Sequence, residues 1–127
     1  MDILENTIMR LSEEEILQNK CIMWFDKTYP DHRQMLYHVD NNSYNAIIGA
    51  KKAALGVRRG PSDLIFIVDS VFFIEMKKPG GVQSPEQITF MNKVRERGHP
   101  YIIFEYLEDF QNFIIQRINI WKSSIGR

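Results

Sequence analysis

The sequence predicts an α/β layer sandwich, a central mixed β-sheet flanked by helices, and three observations point to it. Apolar runs of strand length at 64–68, 71–77 and 101–104 alternate with stretches that carry helical periodicity and caps. The first two runs are joined so closely around Asp69-Ser70 that they form a hairpin. The third follows a helix that starts at Ser84-Pro85, and strands and helices in this order imply a mixed sheet.

The elements follow in order. A first helix runs from Ser12 to about Asp26, with Ser12 as N-cap and Glu15 completing a capping box. Leu17, Cys21, Trp24 and Phe25 form its apolar stripe. Pro30-Asp31 breaks the chain, and Met35-Leu36-Tyr37-His38-Val39 reads as a short strand. Asp40-Asn41-Asn42-Ser43 is a turn cluster, after which Tyr44 to Leu55 is helical and stops at Gly56. Beyond the hairpin, Pro79-Gly80-Gly81 is a loop. Ser84 is then the N-cap, and Pro85 the first residue, of a helix that ends before Gly98-His99-Pro100. After the strand Tyr101-Ile102-Ile103-Phe104, a final amphipathic helix spans roughly Leu107 to Trp121. Phe104, Tyr106, Phe110 and Phe113 read as core, and Gly56 and Gly60 as turn residues.

A chain of 127 residues with 44% hydrophobic and 25% charged residues has the size and composition of one globular domain. The lone cysteine, Cys21, excludes an intramolecular disulfide and a cysteine-rich zinc site, and fits a reducing cytoplasm. No apolar run approaches membrane-spanning length, and Met1-Asp2-Ile3-Leu4-Glu5 lacks the basic-then-apolar pattern of a leader. Net charge is zero, but the charges are segregated. Lys51, Lys52, Arg58 and Arg59 lie in an acid-free stretch and Lys77-Lys78 follow the hairpin, whereas acids gather at Glu13-Glu14-Glu15 and between Glu105 and Asp109.

The chemistry-bearing residues surround the hairpin. Asp63 stands at the mouth of its first strand, and Glu75-Met76-Lys77 closes the second. Ionisable groups embedded in Leu64-Ile65-Phe66-Ile67-Val68 and Val71-Phe72-Phe73-Ile74 need partners or a metal. Side chains alternate along a strand, so Glu75 and Lys77 share a face and Met76 points away. Two carboxylates beside a lysine suit a hard divalent cation and a phosphate, the equipment of metal-assisted phosphodiester cleavage. One geometric condition applies. A two-residue turn at Asp69-Ser70 would set Asp63 opposite Met76, on the wrong face, so the site requires a three-residue connection, a bulge or a splayed strand.

Asp63 followed by Glu75-x-Lys77 resembles the PD-(D/E)xK nuclease motif, with Ser62 between Pro61 and Asp63. The run from Leu55 through Gly60-Pro61-Ser62-Asp63, and the exit Pro79-Gly80-Gly81-x-x-Ser84-Pro85-Glu86-Gln87, are similar to the VRR-NUC (virus-type replication-repair nuclease) branch. The resemblance extends from about Glu14 to the end of the chain. It implies the PD-(D/E)xK fold, with an αβββαβ core. It also implies that Asp63, Glu75 and the Met76 backbone carbonyl hold Mg2+ or Mn2+, and that Lys77 orients or helps to deprotonate the attacking water and counters charge on the phosphate.

Simpler roles exist for some of these residues. Asp63 alone could cap a turn after Pro61. Glu13-Glu14-Glu15 could be acids favouring a helix N-terminus, and Glu15 has its capping-box role. Glu14 lies on the inward stripe, and the resemblance makes a first-helix glutamate support the metal site. Gln87 completes a capping box with Ser84, while the resemblance turns it towards the site. His38 reads as a packed or hydrogen-bonded residue before a ligand, although relatives carry a histidine on this strand.

The function implied is a magnesium- or manganese-dependent DNA endonuclease. It would act as a homodimer on branched DNA such as four-way junctions and come from a phage or prophage in a bacterial cytoplasm. Lys51, Lys52, Arg58, Arg59 and Lys78 are the expected DNA contacts. The alternative is a nuclease-fold module that binds nucleic acid or a partner protein without cutting it. A sequence-specific restriction enzyme would need a target-recognition segment beyond those found here.

Overall fold

Four strands form one sheet in the order β1-β2-β3-β4. They are β1 (Leu36–His38), β2 (Leu64–Ile67), β3 (Val71–Met76) and β4 (Tyr101–Phe104). The structure is a computed structural model that describes residues 11–40, 45–58 and 60–126. The segments Met1 to Glu5 and Asn41-Asn42-Ser43, together with Tyr44 and Arg59, lie outside the described residues. β1 pairs with β2 and β2 with β3 antiparallel, whereas β4 runs parallel to β3, so the sheet is mixed as the order of elements predicts.

Helices cover both faces. α1 (Glu13–Thr28) and α4 (Leu107–Ile125) pack on one face, where Cys21, Phe25, Leu64, Phe66, Ile74, Met76, Phe110 and Ile114 join one core cluster. Burial pushes the Cys21 thiol up to about 12, so it is a packed, protonated side chain. α3 (Pro85–Glu96) covers the other face, where Phe90 packs edge-on against Phe73 and Tyr101. The caps form as the sequence indicates: the Ser12/Glu15 and Ser84/Gln87 boxes are both reciprocal.

Several boundaries differ from the sequence reading. Met35 closes a 3-10 helix, Pro30–Met35, that the chain break at Pro30 did not reveal, so β1 begins one residue later. α1 continues to Thr28 and α4 to Ile125. Tyr106 is not core: it is 54% exposed, because it is the N-cap of α4 and its ring leaves the sheet. α2 (Ala46–Ala54) is capped by Asn45, whose side chain accepts from the Ile48 amide. It contributes no buried side chain among the described residues.

The hairpin turn comprises Val68, Asp69 and Ser70. Ile67 pairs with Val71 and Leu64 with Ile74, and the Val68 amide donates to the Ser70 carbonyl. α4 holds this turn from outside. Arg117 Nη2 donates to both oxygens of Asp69, at 2.9 and 2.7 Å, while its guanidinium lies 5.0 Å from the centre of the Phe72 ring.

Candidate metal and phosphate site

The three-residue turn sets a register that, continued one step past its last pair, brings Asp63 to the Glu75 side of the sheet. With Leu64 opposite Ile74, both carboxylates lie at the same end of the sheet. The strand edges account for the contact that follows. Phe73 and Lys77 give their amides to carbonyls on the β4 side, so the Met76 amide and carbonyl face β2. β2 has ended there, and Asp63 Oδ2 takes the Met76 amide at 2.6 Å in place of a ladder partner. Asp63 is thus both a cap of the sheet and a carboxylate beside the Met76 carbonyl.

Two contacts fix the approach to Asp63. Gly60 has φ +88°, and a Cβ there would come within 2.6 Å of the Glu86 carbonyl, so the loop lies against the first turn of α3 in a way only glycine permits. Ser62 is buried and its hydroxyl donates to the Leu64 carbonyl at 3.3 Å.

Glu75 is fully buried. Its Oε1 accepts from the Tyr101 hydroxyl at 2.5 Å and from Gln83 Nε2 at 3.1 Å. Its Oε2 has no hydrogen-bond partner, and Lys77 Nζ stands 3.6 Å away. Lys77 is itself buried and donates to Gln87 Oε1 at 3.0 Å, with Glu14 Oε2 at 3.9 Å. The same Gln87 Oε1 also accepts from the Ser84 amide at 2.8 Å, so one oxygen serves both the cap of α3 and Lys77. Glu14 and Glu15 separate cleanly: Glu14 turns towards Lys77, while Glu15 accepts from the Ser12 amide at 3.0 Å.

Burial pushes the Asp63 carboxyl above its ordinary range; the Glu75 and Glu14 charges add to this, and the Met76 amide and Lys77 oppose it. Burial and the Glu75 hydrogen bond raise the Tyr101 phenol, which stays a donor. Three carboxylates thus interact with one ammonium, an imbalance that a divalent cation would neutralise. Among the described residues no three His, Cys, Asp or Glu side chains converge as a complete metal cage. Asp63, Glu75 and the Met76 carbonyl are hard oxygen donors, which suits a cation that keeps several of its own waters.

His38 is exposed and does not join the core. Its Nδ1 lies 3.1 Å from the Asp63 carbonyl and 3.0 Å from Gln18 Nε2. An open cleft of about 410 Å3 runs past Asp63, bordered by Glu15, Gln18 and His38. Of the expected DNA contacts, Lys51, Arg58 and Lys78 are exposed, and Lys52 is ion-paired with Asp40 at 2.8 Å. Tyr101 and Gln83 were not anticipated from the sequence. The one available signal is a hydroxyl-bearing ring opening an otherwise apolar strand.

No family model and no curated protein matches the sequence. Among solved structures, a VRR_NUC domain protein superposes with a TM-score of 0.69 over 87% of this chain and 91% of its own, at 19% identity. The chain thus has the fold of that protein, an α/β architecture that fits the resemblance of its motifs. Among the described residues no helix is long and apolar enough to cross a membrane.

Proposed function

We propose that this chain is a Mg2+- or Mn2+-dependent DNA endonuclease that hydrolyses phosphodiester bonds. The observation that carries the reading is Glu75 Oε2, a buried oxygen without a hydrogen-bond donor, facing Lys77 at 3.6 Å with Asp63 on the same side of the sheet. A buried carboxylate oxygen that accepts no hydrogen bond is costly, and a cation at this position would offset the cost. Asp63, Glu75 and the Met76 carbonyl would hold the cation. When bound, it would supply Lewis acidity at a phosphoryl oxygen and lower the pKa of water.

The chain's own groups do the rest. Lys77, held by Gln87 and Glu14, would orient the attacking water and donate to a non-bridging phosphate oxygen as negative charge develops. The substrate proposed is DNA, recognised by backbone and shape through Lys51, Lys52, Arg58, Arg59 and Lys78, and branched DNA in particular. Paired cuts across a four-way junction call for two sites related by a twofold axis, hence a homodimer. A phage or prophage protein acting in a bacterial cytoplasm completes the reading.

The second reading, a non-cutting module that binds nucleic acid or a partner protein, draws on the small number of side-chain ligands. One experiment separates the two. Purified protein is incubated with a panel of branched and linear DNAs with Mg2+, with Mn2+ and without metal. The same is done with Asp63→Ala and Glu75→Gln. Both variants should bind DNA and lose cleavage by roughly a thousandfold or more, since the metal-assisted step contributes several kcal/mol. Cleavage that persists near the wild-type rate in either variant, or is absent in the wild type at every metal tested, would remove the endonuclease reading.

A further inference from the structure

The two oxygens of Glu75 have unequal surroundings. Oε1 accepts from Tyr101 at 2.5 Å and Gln83 at 3.1 Å, which uses both of its lone pairs. Oε2 accepts from no donor and faces Lys77. The terminal torsion of a glutamate is broad, so nothing intrinsic to the side chain selects this orientation. The two donors select it, and they come from separate elements. Tyr101 opens β4 with its ring packed on Phe90, and Gln83 sits in the loop before α3 with its amide 3.6 Å from Met91 Sδ. Phenylalanine would keep the ring contact with Phe90 and lose only the hydroxyl's bond to Oε1.

We infer that Tyr101 and Gln83 are positioning residues that clamp Oε1 of Glu75, presenting Oε2 alone and so making Glu75 a one-oxygen ligand. The inference rests on the metal-dependent reading above and adds a preference among cations. Mg2+ and Mn2+ accept an octahedral set of single oxygens, whereas Ca2+ readily takes both oxygens of a carboxylate. Occupying Oε1 therefore favours the smaller ions.

The test is calorimetric titration of the metal-free full chain with MnCl2 and, separately, CaCl2, alongside thermal melting without metal. Tyr101→Phe should keep a cooperative melt at a lowered midpoint, bind Mn2+ about tenfold more weakly, and bind Ca2+ no more weakly than before, because only Gln83 then occupies Oε1. A general structural loss would weaken both ions alike. Unchanged Mn2+ binding, or an equal loss for both ions, overturns the inference while leaving the metal site standing. Wild-type Mn2+ binding that Glu75→Gln does not diminish overturns the metal reading, and this inference with it. Should Tyr101→Phe fail to fold, Gln83→Leu removes the other donor to the same oxygen and carries the same expectation.

Discussion

Asp63, one residue before β2, comes to the Glu75 side of the sheet because three residues, Val68, Asp69 and Ser70, make the turn. A turn of two would set Asp63 opposite Met76, on the other face. Arg117 of α4 donates to the Asp69 carboxylate within this turn. The cost of this juxtaposition falls on Asp63, whose carboxyl is raised by burial and by the neighbouring Glu75 and Glu14 charges.

Asp63→Asn should therefore stabilise the metal-free protein at neutral and alkaline pH while abolishing cleavage. A carboxyl raised in the fold contributes stability that is present below its unfolded pKa and is lost as pH rises through the folded value. Asparagine does not lose it, and its side-chain oxygen can still accept the Met76 amide. The stability gap between variant and wild type should open as pH rises from the ordinary carboxylate range and then level off. Chemical denaturation in chelator across that range checks it. A variant less stable than wild type at pH 8 would show that the Met76 contact needs the charged carboxylate.

The layers and element types were legible in the sequence because they rest on local signals. The Ser12/Glu15 and Ser84/Gln87 boxes announce α1 and α3, and the apolar runs on either side of Asp69-Ser70 announce β2 and β3. Asp63, Glu75 and Lys77 were legible as a group since strand parity alone aligns the last two. The register was legible only as a condition, because the Arg117 contact that accompanies it spans 48 residues. Tyr101 and Gln83 were missed for a related reason. They meet Glu75 through the parallel β3–β4 pairing and a loop, and neither has a short-range pattern. The 3-10 helix Pro30–Met35 was missed because Pro30, taken as a break, also starts a helical turn.

Gln87 serves α3 and Lys77 with one oxygen, and two substitutions separate the roles. Ser84→Ala removes the side-chain cap on the Gln87 amide and should cost about 1 kcal/mol of stability, with cleavage little changed. Gln87→Met should cost a similar amount of stability and in addition slow cleavage by about tenfold, since Lys77 loses its closest acceptor. Denaturant melts and single-turnover rates on the same preparations decide it. Equal rates for the two variants would reduce Gln87 to a cap.

The basic residues should not contribute equally to DNA binding. Lys52 is already engaged by Asp40 at 2.8 Å, whereas Lys51, Arg58 and Lys78 are exposed. Replacing each exposed residue with alanine should lower the salt dependence of binding by up to about one unit of slope per lost phosphate contact. Lys52→Ala should lower it less, since its charge is partly balanced before DNA arrives. Binding isotherms at several salt concentrations measure the slopes, and a larger change for Lys52 than for Lys51 would place the DNA elsewhere.

Each chain carries one Asp63/Glu75/Lys77 cluster, so the paired junction cleavage proposed above requires two copies of the chain in a closed twofold arrangement. Light scattering across a dilution series should return twice the chain mass at working concentrations. In dimers mixed from wild-type and Glu75→Gln subunits, a junction should be nicked once without its symmetric partner cut, since one site per dimer retains its carboxylate. The singly nicked product should accumulate in proportion to the mixed species, and dimers with two wild-type subunits should resolve the junction in a single encounter. A stable monomer that makes both cuts in one encounter would contradict the assembly. DNA itself would then be what brings two active sites together.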